Sequence, residues 1–211
     1  MFKYSEKTEI NMQFKMLELF RTIKADKIVK QDAGNIASVK LANILSPDRT
    51  NLEESGLIKE IYVFDINLNT NKVPEKFIEA LTKSVNFQTL IKLKYADKVK
   101  YIVSVKSFEE EKFKIIQVFQ TDWVVEQKYD FPITTKLENL FKSMIEYITY
   151  LKFRQDEDFE AYVERTIQIK KKQTEIEKLS KLVSNEKQPN IKMRLNDELK
   201  FYKKELKELE E

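Results

Sequence analysis

Asp65 stands in a nearly continuous apolar run, Ile61-Tyr62-Val63-Phe64-Asp65-Ile66, of the kind that forms a strand covered on both faces. An acidic residue on such a strand, followed by Glu-x-Lys on the next, is how restriction-type nucleases hold a divalent metal. The strands that follow carry Lys92, Lys94 and Lys100, but no acidic residue lies two positions before any of them. A metal at Asp65 would lack its second carboxylate, and the opposing expectation is that Asp65 lies at a strand end or pairs with a lysine. The same three lysines are the candidate nucleic-acid contacts, unless Glu109-Glu110-Glu111 supply carboxylates that neutralise them.

Other chemistries are narrowed by what the chain lacks. With no cysteine and no histidine it offers no thiol nucleophile, disulfide, Cys/His zinc site or Ser-His-Asp triad. Its 2 glycines, Gly34 and Gly56, are too few for a glycine-rich phosphate cradle. We therefore assign no catalytic, cofactor-binding or metal-ligating residue. The 38 basic and 35 acidic residues are intermixed, and a net charge of +3 is too mild to argue for nucleic acid. No apolar run reaches the length of a membrane span, and the opening Met1-Phe2-Lys3-Tyr4-Ser5 lacks a signal-peptide core, so a cytoplasmic protein with no membrane contact is expected.

The elements that must position these residues read as an α+β domain over 1–153, a mixed, mainly antiparallel sheet with packed helices, followed by a helical hairpin over 154–211. Asn11 is placed to cap a helix from about Met12 to Ala25, ahead of a strand over Ile36–Leu45. The apolar run makes the central strand, and Pro74 opens a helix that reaches about Val85. Strands over Thr89–Tyr95 and Val99–Lys106 are joined by a three-residue loop, which sets Leu93 against Tyr101 and Lys94 against Lys100. A strand over Phe113–Trp123 and a helix from a Thr134 or Thr135 cap to Phe153 complete the domain. The strand aromatics Tyr62, Phe64, Tyr95, Tyr101, Phe119 and Trp123 follow core alternation rather than that of a base-stacking platform.

In the hairpin, Pro189 fixes the turn because it disfavours helix in Gln188 and suits the first turn of the next helix. The second helix carries Leu195, Leu199, Tyr202, Leu206 and Leu209 at alternating spacings of four and three, the seam of an antiparallel coiled coil. The first helix has a polar gap at Lys170-Lys171-Lys172-Gln173-Thr174 that interrupts its half of the seam. From Gln155 to Glu211, 13 basic and 14 acidic residues leave a charge of −1, which does not suit the phosphate backbone. The five seam residues are therefore candidates for contact with another protein or with a second copy of the chain.

Leu45-Ser46-Pro47-Asp48-Arg49-Thr50-Asn51-Leu52, Glu60-Ile61-Tyr62-Val63-Phe64 and Asn185-Glu186-Lys187-Gln188-Pro189-Asn190, with the order of elements, resemble an uncharacterised prokaryotic domain-of-unknown-function family, number 4391. The resemblance implies a setting beside helicases and DNA methyltransferases in restriction-modification and phage-defence loci. It implies an accessory subunit of such a system and assigns no site residues.

Overall fold

The computed structural model describes residues 1–55, 58–109 and 112–211. It divides into two compact units, Met1–Tyr150 and Leu151–Glu211.

The first unit is built on one open sheet with the order β1-β2-β3-β4-β5-β6. Its strands are β1 (Glu9–Phe14), β2 (Ile36–Leu45), β3 (Ile61–Leu68), β4 (Gln88–Tyr95), β5 (Lys98–Glu109) and β6 (Lys112–Gln120), with a short β7 (Val124–Val125) on β5. Only β3 and β4 run parallel, which requires the crossover helix that Pro74 announces; the other pairs are antiparallel. The α+β expectation, with the apolar run at the sheet centre, holds.

One face of the sheet is covered by α1 (Met16–Thr22), α2 (Lys27–Asp32) and α4 (Glu75–Ser84), which pack Leu19, Ile23, Phe77, Ile78 and Leu81 against Leu41, Phe64, Ile66, Ile91, Leu93 and Ile102. Pro74, the α4 N-cap, has no side-chain oxygen, and Asp32 does that work from a distance by accepting from the backbone N–H groups of Lys76 (2.8 Å) and Phe77 (3.2 Å). Between β2 and β3 lies the short helix α3 (Pro47–Thr50). Later in the chain comes α5 (Leu137–Thr149), which buries Leu137, Leu140, Phe141, Met144, Ile145 and Ile148 along one stripe. At about 1.5–3 kcal/mol for each apolar side chain removed from water, that stripe contributes on the order of 10 kcal/mol before entropy is subtracted.

Three local expectations are corrected. The first is the helix capped by Asn11: β1 occupies Glu9–Phe14 and only Met16–Thr22 is helical. Asn11 takes a left-handed φ of 53° at a register shift, and Met12 and Phe14 pair with Leu41 and Val39, so sheet pairing overrides the helical spacing. The second is the reach of the helix to Phe153. α5 starts at Leu137 with Lys136 as its cap and stops where Tyr150 adopts a φ of 59°.

The third is the β4–β5 register. Ala96 takes a φ of 51°, so Ala96-Asp97 closes a two-residue turn that pairs Lys94 with Val99, Leu93 with Lys100 and Lys92 with Tyr101. The three-residue loop had avoided placing Leu93 beside Lys100. The chain accepts that neighbour because the buried Lys100 ammonium donates to the Thr121 carbonyl.

The second unit consists of α6 (Phe159–Asn185) and α7 (Pro189–Glu210). Asp158 caps α6 by accepting from Ala161 N–H, and Pro189 opens α7 as the sequence predicts. Among the described residues no helix is long and apolar enough to cross a membrane.

Candidate functional site

In antiparallel and parallel ladders alike, paired residues project from the same face of the sheet. Asp65 pairs with Lys92, and Lys92 with Tyr101, so these three stand side by side across β3, β4 and β5. Lys94, two residues on, shares their face. Lys100 pairs with Leu93 and therefore points to the opposite face, which separates it from the other two candidate nucleic-acid lysines. The two-residue turn is the cause: one residue of register carries a side chain through the sheet.

Lys94 Nζ donates to Asp65 Oδ2 at 2.7 Å. Lys92 Nζ lies 3.5 Å from Asp65 Oδ1 and 3.1 Å from Glu126 Oε1. The Lys92 ammonium is thus held between two carboxylates. Burial works against the Lys94 charge, but the Asp65 hydrogen bond and charge overcome it and raise the Lys94 pKa. Two lysines and two carboxylates leave the cluster electrically balanced. Glu110 and Glu111, offered as the neutralising partners, lie outside the described residues; Asp65 and Glu126 fill that role.

Glu126 is what the sequence reading missed. It follows Val124-Val125 and bears no fixed spacing to Asp65 or Lys92, so only the fold brings it close. No group of three or more acidic residues gathers as a metal site among the described residues.

The cluster borders a cavity of about 210 Å³ lined by Tyr4, Glu9, Asp65, Lys92, Tyr101, Glu126 and Lys128, among others. The Tyr4 hydroxyl is enclosed and has no hydrogen-bond partner. Burial, with the Tyr101 hydroxyl and Asp65 nearby, pushes its pKa far up, so it stays a neutral O–H. Tyr101 is likewise held protonated, by burial first and by Glu126 next. Its hydroxyl oxygen accepts from the Met1 nitrogen at 3.3 Å, and its ring meets Tyr147 edge-on at 5.9 Å.

The hairpin is organised by a second cluster, also unforeseen. Arg165 is buried and donates to both Glu157 oxygens at 2.7 Å, to the Lys152 carbonyl at 2.6 Å and to the Leu209 carbonyl at 2.9 Å. Arg154 donates to the neighbouring Glu208 carbonyl at 2.5 Å, so two guanidinium groups cap the last turn of α7. Phe153 stacks on Tyr162 at 3.9 Å beneath this cap. In the polar gap of α6, Lys172 lies 4.1 Å from the Tyr202 ring centre and 3.0 Å from Glu205, so the gap is spanned by charge rather than left open.

Leu195, Leu199, Tyr202, Leu206 and Leu209 are each half-buried, and the contact of the Tyr202 ring with Lys172 turns the side of α7 they share towards α6. The more exposed apolar side chains of the hairpin lie elsewhere: Ile167 and Leu182 on α6, Ile191, Met193 and Phe201 on α7.

A family model described as Domain of unknown function (DUF4391) matches residues 4–206. The chain belongs to the DUF4391 family. The DUF4391 match runs through both units, from the Tyr4 wall of the cavity to Leu206 of the hairpin. No curated protein and no solved structure matches the chain.

Proposed function

We propose that this DUF4391 protein is a non-catalytic accessory or assembly subunit whose hairpin engages another protein or a second copy of the chain. One observation carries the reading: none of the 22 residues of α7 is buried. A unit of roughly 60 residues is marginal even when it covers its apolar surface, and this one leaves Met193 at 68% and Phe201 at 58% exposure. Covering α7 with a further surface would add burial that two helices cannot supply alone.

The partner class to test first is a helicase or DNA methyltransferase, following the restriction-modification and phage-defence setting implied by the family resemblance. Leu199 and Leu206 face α6, so changing them disturbs the hairpin as well as any interface. The discriminating substitutions are Met193→Asp and Phe201→Asp, which alter only exposed positions. They should abolish association with a co-expressed partner, or self-association, while leaving helical content intact. Unchanged association would refute the proposal.

A second reading is a metal-dependent nuclease centred on Asp65, for which Glu126 is the nearest further carboxylate on the same lysine, although a metal would have to displace the ammonium groups that both carboxylates hold. Pure protein incubated with DNA and Mg²⁺ or Mn²⁺ tests it: no cleavage, or equal cleavage by Asp65→Ala, ends that reading. Weak nucleic-acid binding through Lys92 and Lys94 predicts a steep loss of affinity with salt, and a flat response removes it.

A further inference from the structure

The cavity beside Asp65 is walled by groups whose hydrogen-bonding capacity is spent unevenly. Lys92 and Lys94 take up the carboxylates of Asp65 and Glu126, so the acceptors in the cluster are occupied. The donors are not. The Tyr4 hydroxyl is enclosed without a partner, and the Tyr101 oxygen is an acceptor in its one hydrogen bond, which leaves its proton available. Lys92 carries three N–H donors and uses one in a hydrogen bond to Glu126 and another towards Asp65 at the longer distance of 3.5 Å. A second basic residue, Lys128, also lines the space.

Leaving a buried hydroxyl unpaired carries a desolvation penalty that an acceptor placed in the cavity would remove. A divalent cation is disfavoured because the Asp65 and Glu126 carboxylates already hold two ammonium groups, and the third carboxylate of the lining, Glu9, is balanced by Lys3 and Lys128. Converging donors on a neutral frame suit the opposite kind of guest.

From this we infer that the cavity is a binding site for a small oxyanion, a carboxylate or a phosphate group, which accepts from Tyr4 Oη, Tyr101 Oη and Lys92 Nζ. A volume of about 210 Å³ admits such a group and a short attached moiety, but not a folded macromolecule. The inference is independent of the hairpin and stands or falls separately from the assembly proposal.

The test is calorimetric titration of the full chain with inorganic phosphate and, separately, with acetate, at constant ionic strength set by chloride. Saturable binding of either is expected, and the arm that responds names the source of the oxyanion. Tyr4→Phe removes the enclosed hydroxyl without changing the ring, so it should weaken binding about tenfold. The same variant should unfold at the same or a higher temperature than the wild type in the absence of anion, because it deletes an unpaired polar group. Lys92→Met should also weaken binding, and it serves as the second variant. No heat from either anion, or equal affinity in Tyr4→Phe, would overturn the inference and leave the cavity a site for water only.

Discussion

Replacing Arg165 with Met should open the base of the hairpin. The Arg165 and Glu157 side chains are 4% and 8% exposed, so their ion pair at 2.7 Å is a buried one. Removing one partner from such a pair costs about 3–5 kcal/mol, mostly because the other charge stays desolvated and unpaired. The variant also removes the guanidinium donor from the Leu209 and Lys152 carbonyls. Hydrogen exchange read by mass spectrometry resolves the effect by segment. Amides near the end of α7 and in residues 152–165 should exchange faster by about a hundredfold or more, up to the limit set by the unit's own stability. Amides of the β3–β4 pair should be unchanged. In the double variant Arg165→Met with Glu157→Gln the stranded charge is gone, and much of the protection should return. Unchanged exchange in the single variant, or loss spread equally over both units, would refute the reasoning.

The Glu157 carboxyl predicts a pH effect: burial opposes its charge, but hydrogen bonds from Arg165 and Arg154 prevail and lower its pKa. Hairpin protection attributable to this group should therefore be complete above the ordinary carboxyl value of about 4.3 and fall as the pH drops through the lower folded value, and Arg165→Met should abolish that acid-dependent component. Lys106 predicts an effect of the same sign in a more alkaline window: its ammonium donates to the Thr82, Val85 and Phe87 carbonyls at 2.9, 2.7 and 2.6 Å, while burial pushes its pKa down to about 7. Between about pH 7 and 10 the unfolded chain binds the proton that the folded one has released, so wild-type stability should rise with pH relative to Lys106→Met, checked by denaturant melts across that range. Asp65→Asn should strip Lys92 and Lys94 of their shared carboxylate and destabilise the sheet unit by roughly 1–2 kcal/mol, discounted for partial exposure, as measured by thermal unfolding.

The sequence made the sheet and the hairpin legible because their signals are long. Ile61–Ile66 can only be a strand buried on both faces, and Pro189 between two charged helical stretches can only be a turn. Short signals failed where tertiary pairing decided the outcome. Phe14 opens a helical spacing with Leu17 and Phe20 but also a strand spacing with Met12, and the neighbouring Val39 and Leu41 chose the strand. Ala96 carries no glycine or asparagine mark of a two-residue turn, so the register of Lys94 and Lys100 was unreadable, and with it the face of the sheet on which each lysine stands. Asp65 was legible as a residue that needs a partner, but Glu126 and Tyr4 come to it from distant parts of the chain. Arg165 carries no mark in the sequence that separates it from the other charges of its helix, although its guanidinium caps the end of α7.

The claim that α7 awaits another protein surface is tested most directly by the mass of the particle in solution. Light scattering on the full chain, alone and co-expressed with a helicase or methyltransferase offered as the proposed partner, should give a complex heavier than the 25.2 kDa monomer. With Met193→Asp and Phe201→Asp the mass should return to the monomer value while circular dichroism stays helical. A wild-type chain that remains monomeric in every mixture, or a double variant that assembles as the wild type does, would contradict the account.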